Sequence, residues 1–220
     1  MQIRMMLIIT LAISCSALPA ASLAADQAKS DLEGIWDMDG FGRNGHTRNP
    51  VLTEAGQARL DSYTEADDPN LKCLMPGVPL GVYDPYPLEI IEQEHQIVFL
   101  YEHFHMVRRI YMDGREADEY QPHTLTGFST GHWEGDTLVV RTTHLIGELI
   151  RNTGMPFSGP DGGHMIEHYR REGDALVFDA IVHDQENYKE PYVIKGRRKL
   201  NPEGMIFEYE CYPEYGGMEQ

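Results

Sequence analysis

From Leu88 onward the chain is a succession of short strand-like runs separated by turn signals, and this pattern constrains the fold more than any other feature. The runs are Leu88–Gln93, Gln96–His105, Met106–Met112, Gly131–Trp133, Thr137–Leu145, His164–Arg171, Ala175–His183, Tyr192–Arg198 and Met205–Tyr212. Asp113-Gly114, Glu134-Gly135-Asp136, Glu172-Gly173-Asp174 and Asn201-Pro202-Glu203-Gly204 lie between runs, and the last three are short enough to be hairpin connections. So many strands in one sheet need their edges hidden, and closure into a barrel does this. The expected fold is therefore all-β: an antiparallel up-and-down barrel of about eight or more strands. Leu32–Trp36 reads as its first strand. One short helix is expected over Thr53–Tyr63, with Thr53 as N-cap and Glu54 in the first turn. Residues 67–88 hold Pro69, Pro76, Pro79, Pro85 and Pro87, too many for regular structure, and read as a wrapping loop.

The N-terminus reads as an export signal. Arg4 precedes an apolar run from Met5 to Ile13, and Ser22-Leu23-Ala24 has the small residues of a cleavage site before Ala25. This gives a signal peptide over 1–24 and one domain over 25–220, in the periplasm or secreted. The apolar run is about half the roughly 20 residues of a membrane span, so no permanent span is expected. Lipidation at Cys15 is disfavoured, because Ala12 stands where such signals place leucine. Removing the signal leaves Cys73 and Cys211, an even number in an oxidising compartment, and a bridge between them is expected. Closing a loop of about 140 residues would contribute on the order of 4–5 kcal/mol in the chain-entropy view. Thirty-five acids against eighteen bases give a net charge of −17, which leaves no basic face for nucleic acid or anionic lipid.

Gly34-Ile35-Trp36 matches the Gly-x-Trp opening of lipocalins and other calycins. HTLTGFSTGHWEGDTLVVRTTHL from His123 to Leu145 and RRIYMDGR at 108–115 are more specific. With CLMPGVP at 73–79, RNTGMP at 151–156, Glu167-His168-Tyr169 and Glu208–Cys211, the chain resembles a large group of secreted, lipocalin-like bacterial proteins over roughly residues 50–212. The resemblance implies a barrel and export, and brings no activity with it. Arg197 and Arg198 are the two candidates for the last-strand arginine that lipocalins carry.

Strand alternation sorts the residues that carry chemistry. A continuous strand over 101–111 would put Tyr101, His103, His105, Arg109 and Tyr111 on one face, and Glu102, Phe104 and Arg108 on the other. Thr142 shares a face with His144, and His164 with His168, opposite Met165, Glu167 and Tyr169. His103 and His105, at i and i+2, could hold a zinc-like metal with a third imidazole from His144, His164 or His168. The commoner outcome for such a pair is two histidines at the surface or core edge. Without metal, His144, His164, Arg108 and Glu102 could converge inside the barrel as an acid–base cluster, or as a structural network closing one end. Ser129 and Ser158 lie outside any Gly-x-Ser-x-Gly elbow. Trp36 and Trp133 read as barrel plugs. Tyr83, Tyr86, Met155 and Phe157 could rim a cavity mouth. Two readings follow: a cavity that binds a small apolar or aromatic molecule, lined from Tyr101, His103, His105, Thr142, His168 and Phe157, or a hydrolase, lyase or isomerase using the inward cluster.

Overall fold

The computed structural model describes residues 31–39, 50–146, 149–159 and 162–212. The expected signal peptide over 1–24 and Cys15 lie outside the described residues. Eleven strands are present among them: β1 (Gly34–Met38), β2 (Leu88–Glu92), β3 (Gln96–Tyr101), β4 (Val107–Tyr111), β5 (Phe128–Glu134), β6 (Thr137–Thr143), β7 (Leu149–Arg151), β8 (Met155–Pro156), β9 (His164–Glu172), β10 (Ala175–His183) and β11 (Tyr192–Leu200). Nine of them close a barrel in the order β1-β11-β10-β9-β6-β5-β4-β3-β2. Closure is made by β1, which pairs with β11 on one side and β2 on the other.

The topology is not a uniform antiparallel meander. β4 and β5 run parallel, with Ile110 opposite Ser129 and Tyr111 opposite Thr130. A parallel neighbour needs a long return connection, and residues 112–127 supply it. The β7–β8 ribbon stands outside the barrel, so β6 pairs with β9. Met205–Tyr212 is not a strand. The barrel has no free edge to offer it, so the segment crosses the outside as an irregular strap.

Alternation fills the interior. On β3, Ile97, Phe99 and Tyr101 are buried while their neighbours are partly exposed. On β9, the inward set is Met165, Glu167 and Tyr169, and these sit opposite Thr142, Val140 and Leu138 of β6. Trp36 is fully buried and donates its indole N–H to the Leu32 carbonyl at 2.9 Å. Trp133 is only half-buried and packs on the core from its margin. Gly196 faces Phe178 across β10 and β11, and a β-carbon there would lie 2.2 Å from the Phe178 ring. That position therefore has to be glycine for the large ring to lie flat inside the sheet.

The helix forms where its cap predicts. α1 spans Glu54–Ser62, and the Thr53 hydroxyl accepts from the Gly56 N–H at 3.0 Å. The proline-rich stretch is broken by short 3-10 turns and a four-residue helix, α2 (Val78–Gly81). Cys73 and Cys211 are joined in a disulfide, which ties this stretch to the C-terminal strap. No helix among the described residues is long and apolar enough to cross a membrane.

Candidate functional site

Among the described residues, the barrel interior holds a polar cluster centred on Arg108. Its guanidinium donates from Nε to Ser129 at 3.0 Å, from Nη1 to Glu167 Oε1 at 3.0 Å, and from Nη2 to Thr142 and Glu167 Oε2. Glu167 Oε1 also accepts from the Tyr169 hydroxyl at 2.6 Å, and Ser129 and Thr142 bond each other at 2.9 Å. Arg108 and Glu167 are almost completely buried. Burial works against the Arg108 charge, yet the attraction and hydrogen bonds of Glu167 outweigh it and raise its pKa further. Burial first, and then the Glu167 charge, raise the Tyr169 phenol well above its ordinary value, so it stays a neutral donor. Burial likewise raises Tyr101.

Tyr101 and Arg108 reach this interior together, against the expectation that they take opposite faces. The reason is a turn. Residues His103–His105 form a short 3-10 segment with Phe104 and His105 at positive φ, 54° and 49°. This breaks the strand expected over 96–105 and resets the alternation. Two adjacent non-glycine residues in the left-handed region are strained, and packing has to hold them.

That turn carries a second cluster at the barrel end. His103 Nδ1 donates to Asp84 Oδ2, and Asp84 Oδ1 accepts from the Tyr86 N–H at 2.9 Å. Tyr86 stacks on the His103 ring at 4.6 Å, while Phe104 and the edge-on Tyr209 lie 4.5 and 4.9 Å away. Buried Arg198 of β11 fixes the Asp84 loop from behind, donating to the carbonyls of Asp84 and Tyr86 at 2.8 Å each and of Trp36 at 3.4 Å. With Nδ1 committed to Asp84, His103 Nε2 has no hydrogen-bond partner among the described residues.

The strap crosses beside this turn. Glu102 accepts from the Phe207 N–H at 3.0 Å, and His105 Nε2 accepts from the Tyr209 N–H at 2.7 Å. Where the strap meets the barrel there is a shallow, open cleft of about 460 Å³, lined mainly by Ile35, Leu100, Met205, Ile206 and Phe207, with His105, Glu89 and Glu208 as its polar groups. Met205 and Phe207 are 59% and 62% exposed.

The remaining expected site residues do not join these clusters. His144 follows the end of β6 at φ 56°, which turns its side chain away from the inward face of Thr142 and against the His123 ring. His164 and His168 lie on the outer face of β9, because Met165, Glu167 and Tyr169 take the inner one. His164 stacks on His183, and His168 bonds Asp179 at 2.9 Å. Phe157 is buried outside the barrel wall, with its ring tight over Gly163. His103 and His105 are not completed as a metal centre. One bonds a carboxylate, the other a backbone amide, and no group of three or more metal-ligating side chains is arranged for an ion among the described residues.

Glu167, Ser129, Tyr169, Asp84 and Tyr209 are the functional candidates that sequence reasoning misses. Glu167 has a readable signal, since a charge at i±2 from Met165 and Tyr169 shares their face. Asp84 has none, because the loop alone brings it to His103.

No protein-family profile matches the chain, and no curated protein matches it significantly.

Proposed function

We propose that this is an exported, lipocalin-like barrel that binds a small apolar or aromatic molecule in the cleft under its C-terminal strap, not in the barrel interior. The interior is occupied by its own side chains, including Trp36, Phe99, Tyr101, Tyr169, Arg108 and Arg198. The observation that carries the reading is the strap cleft: open to solvent, mostly apolar, with His105, Glu89 and Glu208 as its polar groups. His105 is the natural anchor. Its Nε2 accepts from Tyr209, so a neutral ring carries its proton on Nδ1, which is available to a ligand oxygen. Export is supported by the disulfide, which persists in oxidising compartments. The lipocalin-like reading is supported by Trp36 on the first strand, covered by Arg171 at 5.5 Å, and by buried Arg198 of the last strand bonded to its carbonyl.

The test is native mass spectrometry of tag-free protein from the periplasm beside its denatured mass. An organic excess on the order of a few hundred daltons, lost on denaturation and absent from Phe207→Asp, is the expected result. No excess, together with equal binding of a polarity-sensitive dye by both proteins, would sink the reading.

A second reading has its own observation. Asp84 orients His103 as a carboxylate orients a general base, and Nε2 has no hydrogen-bond partner among the described residues. In that reading the protein is a hydrolase, lyase or isomerase. A turnover found in a substrate screen would then be lost in both His103→Gln and Asp84→Asn, with the fold intact. Turnover surviving either change excludes the pair.

A further inference from the structure

Beyond Gly204 the strap is held by side chains, not by a backbone ladder. The chain leaves β11 through backbone bonds from the Asn201 N–H to Ile35 and from the Gly204 N–H to Asn201. After that, two of its amides are taken by side chains of the turn that follows β3. Glu102 accepts from the Phe207 N–H at 3.0 Å, and His105 Nε2 accepts from the Tyr209 N–H at 2.7 Å. The Tyr209 ring packs edge-on to Tyr86 and His103, and Cys211 closes the segment through its disulfide to Cys73. We propose that His105 is a pH-sensitive latch: protonation of its ring releases the Tyr209 amide, so that the strap between Gly204 and Cys211 loosens from the barrel end in mild acid and reseats at neutral pH.

The chemistry of the two acceptors carries this. Nε2 takes the Tyr209 N–H through a lone pair, so the latched ring is neutral with its proton on Nδ1. An imidazolium has an N–H on both nitrogens, and no ring flip gives it a lone pair back. The bond is therefore inverted, with one N–H facing another. Glu102 behaves otherwise, because a carboxyl group keeps an acceptor oxygen even when protonated. Mild acid thus cuts the Tyr209 tie and leaves the Phe207 tie. His105 is exposed, so the proton reaches it without prior opening. The loosened state leaves the lone pair free to take a proton and the latched state does not, so falling pH draws the population toward release. Besides Glu102 and Tyr209, the ionisable groups packed around the latch are Glu89 of β2, Glu208 of the strap, Asp84 and Tyr86 of the loop before β2, and His103 of the turn itself. β1 and β3 present Ile35 and Leu100 to it. Imidazole is the side chain whose charge ordinarily changes between about pH 5 and 8, which leaves His103 as the other group of that kind. His103 donates to Asp84 from Nδ1, a bond that protonation keeps. The latch does not depend on what occupies the strap cleft.

The experiment is amide hydrogen exchange of the disulfide-bonded protein at about pH 7.5 and 5.5, read by NMR as protection factors corrected for the intrinsic pH dependence of exchange. Protection at Tyr209 should fall by about two- to tenfold at the lower pH, as the loss of one hydrogen bond requires, while β9 and β10 stay unchanged. His105→Gln offers an acceptor oxygen near the Nε2 position and does not titrate, so it should stay latched at both pH values. His105→Ala has no acceptor and should be loosened at both. Glu89→Gln and Glu208→Gln should keep the pH step of the parent. Circular dichroism at both pH values separates local release from unfolding. Equal protection of Tyr209 in the parent at the two pH values overturns the proposal. So does a pH step that persists in His105→Gln, as it would if His103 or a nearby carboxylate were the titrating group.

Discussion

The interior around Arg108 and the barrel end around His103 and His105 use similar groups to opposite ends. Inside, a guanidinium, a carboxylate, two hydroxyls and a phenol satisfy one another, leaving nothing for a ligand. At the end, each histidine has one ring nitrogen committed to the protein and the other without a hydrogen-bond partner among the described residues. A saturated buried network specifies a packing arrangement, and a half-committed group recognises something else. The difference teaches that titratable residues in a barrel are weighed by their spare valences, not by their burial.

The largest expected effect breaks the saturated region. Glu167→Gln leaves the Arg108 charge buried without its counter-charge and should cost about 3–5 kcal/mol, read as a shift in the urea midpoint. Arg108→Met combined with Glu167→Leu should recover much of this, because no charge is then stranded. If Glu167→Gln is as stable as the parent, the network is not the closed unit described, and the comparison fails at its first term.

Reduction of the disulfide comes next, and acts on the other region. Cys73 and Cys211 are 138 residues apart in sequence, so opening the bridge should cost about 2–4 kcal/mol of thermal or urea stability. It should also free the strap, so that binding in the strap cleft falls more steeply than the barrel's ellipticity. Equal loss of both would mean that strap and barrel are one cooperative unit.

How far these regions can be read from sequence follows from the same contrast. The Thr53 cap, the Gly-Asp turns, most barrel strands and the cysteine pair are local or arithmetical signals, and the structure carries them. The parallel β4–β5 pair is not local: nothing in 112–127 says which neighbour β5 will take. Met205–Tyr212 has strand-like residues but meets a barrel whose edges are all paired. The turn at His103–His105 is the most consequential miss. It has neither glycine nor proline, yet Phe104 and His105 go left-handed, and the face of every following residue changes with them. Arg108 and Thr142 are thus found inside as expected, but with Glu167 as partner, while His144, His164 and Glu102 are elsewhere.

A smaller effect sharpens the description of the barrel end. His105→Ala removes the acceptor for the Tyr209 N–H, one hydrogen bond worth about 0.5–1.5 kcal/mol. The strap should respond locally: amide exchange at Tyr209 should speed up, while exchange in β9 and β10 stays as it is. Unchanged protection at Tyr209 would show that the disulfide alone holds the strap, and His105 would lose its place as latch and anchor together.

The smallest effect concerns the outer face of the barrel, where His164 of β9 stacks on His183 of β10. His164 lies below the ordinary histidine value through burial first, then His183 and Arg141. The unfolded chain takes up this proton near pH 6.5, and the folded chain only at lower pH. Between those two points the unfolded state binds more protons, so the contribution is complete above pH 6.5 and is lost as pH falls through the folded value. A proton NMR titration should therefore place the His164 Cε1–H midpoint below 6.5. His183→Gln should move it part of the way back up, since one of the groups that oppose its charge is gone while burial remains. A midpoint at or above the ordinary value would mean that burial and the His183 and Arg141 charges do not act on this ring as described.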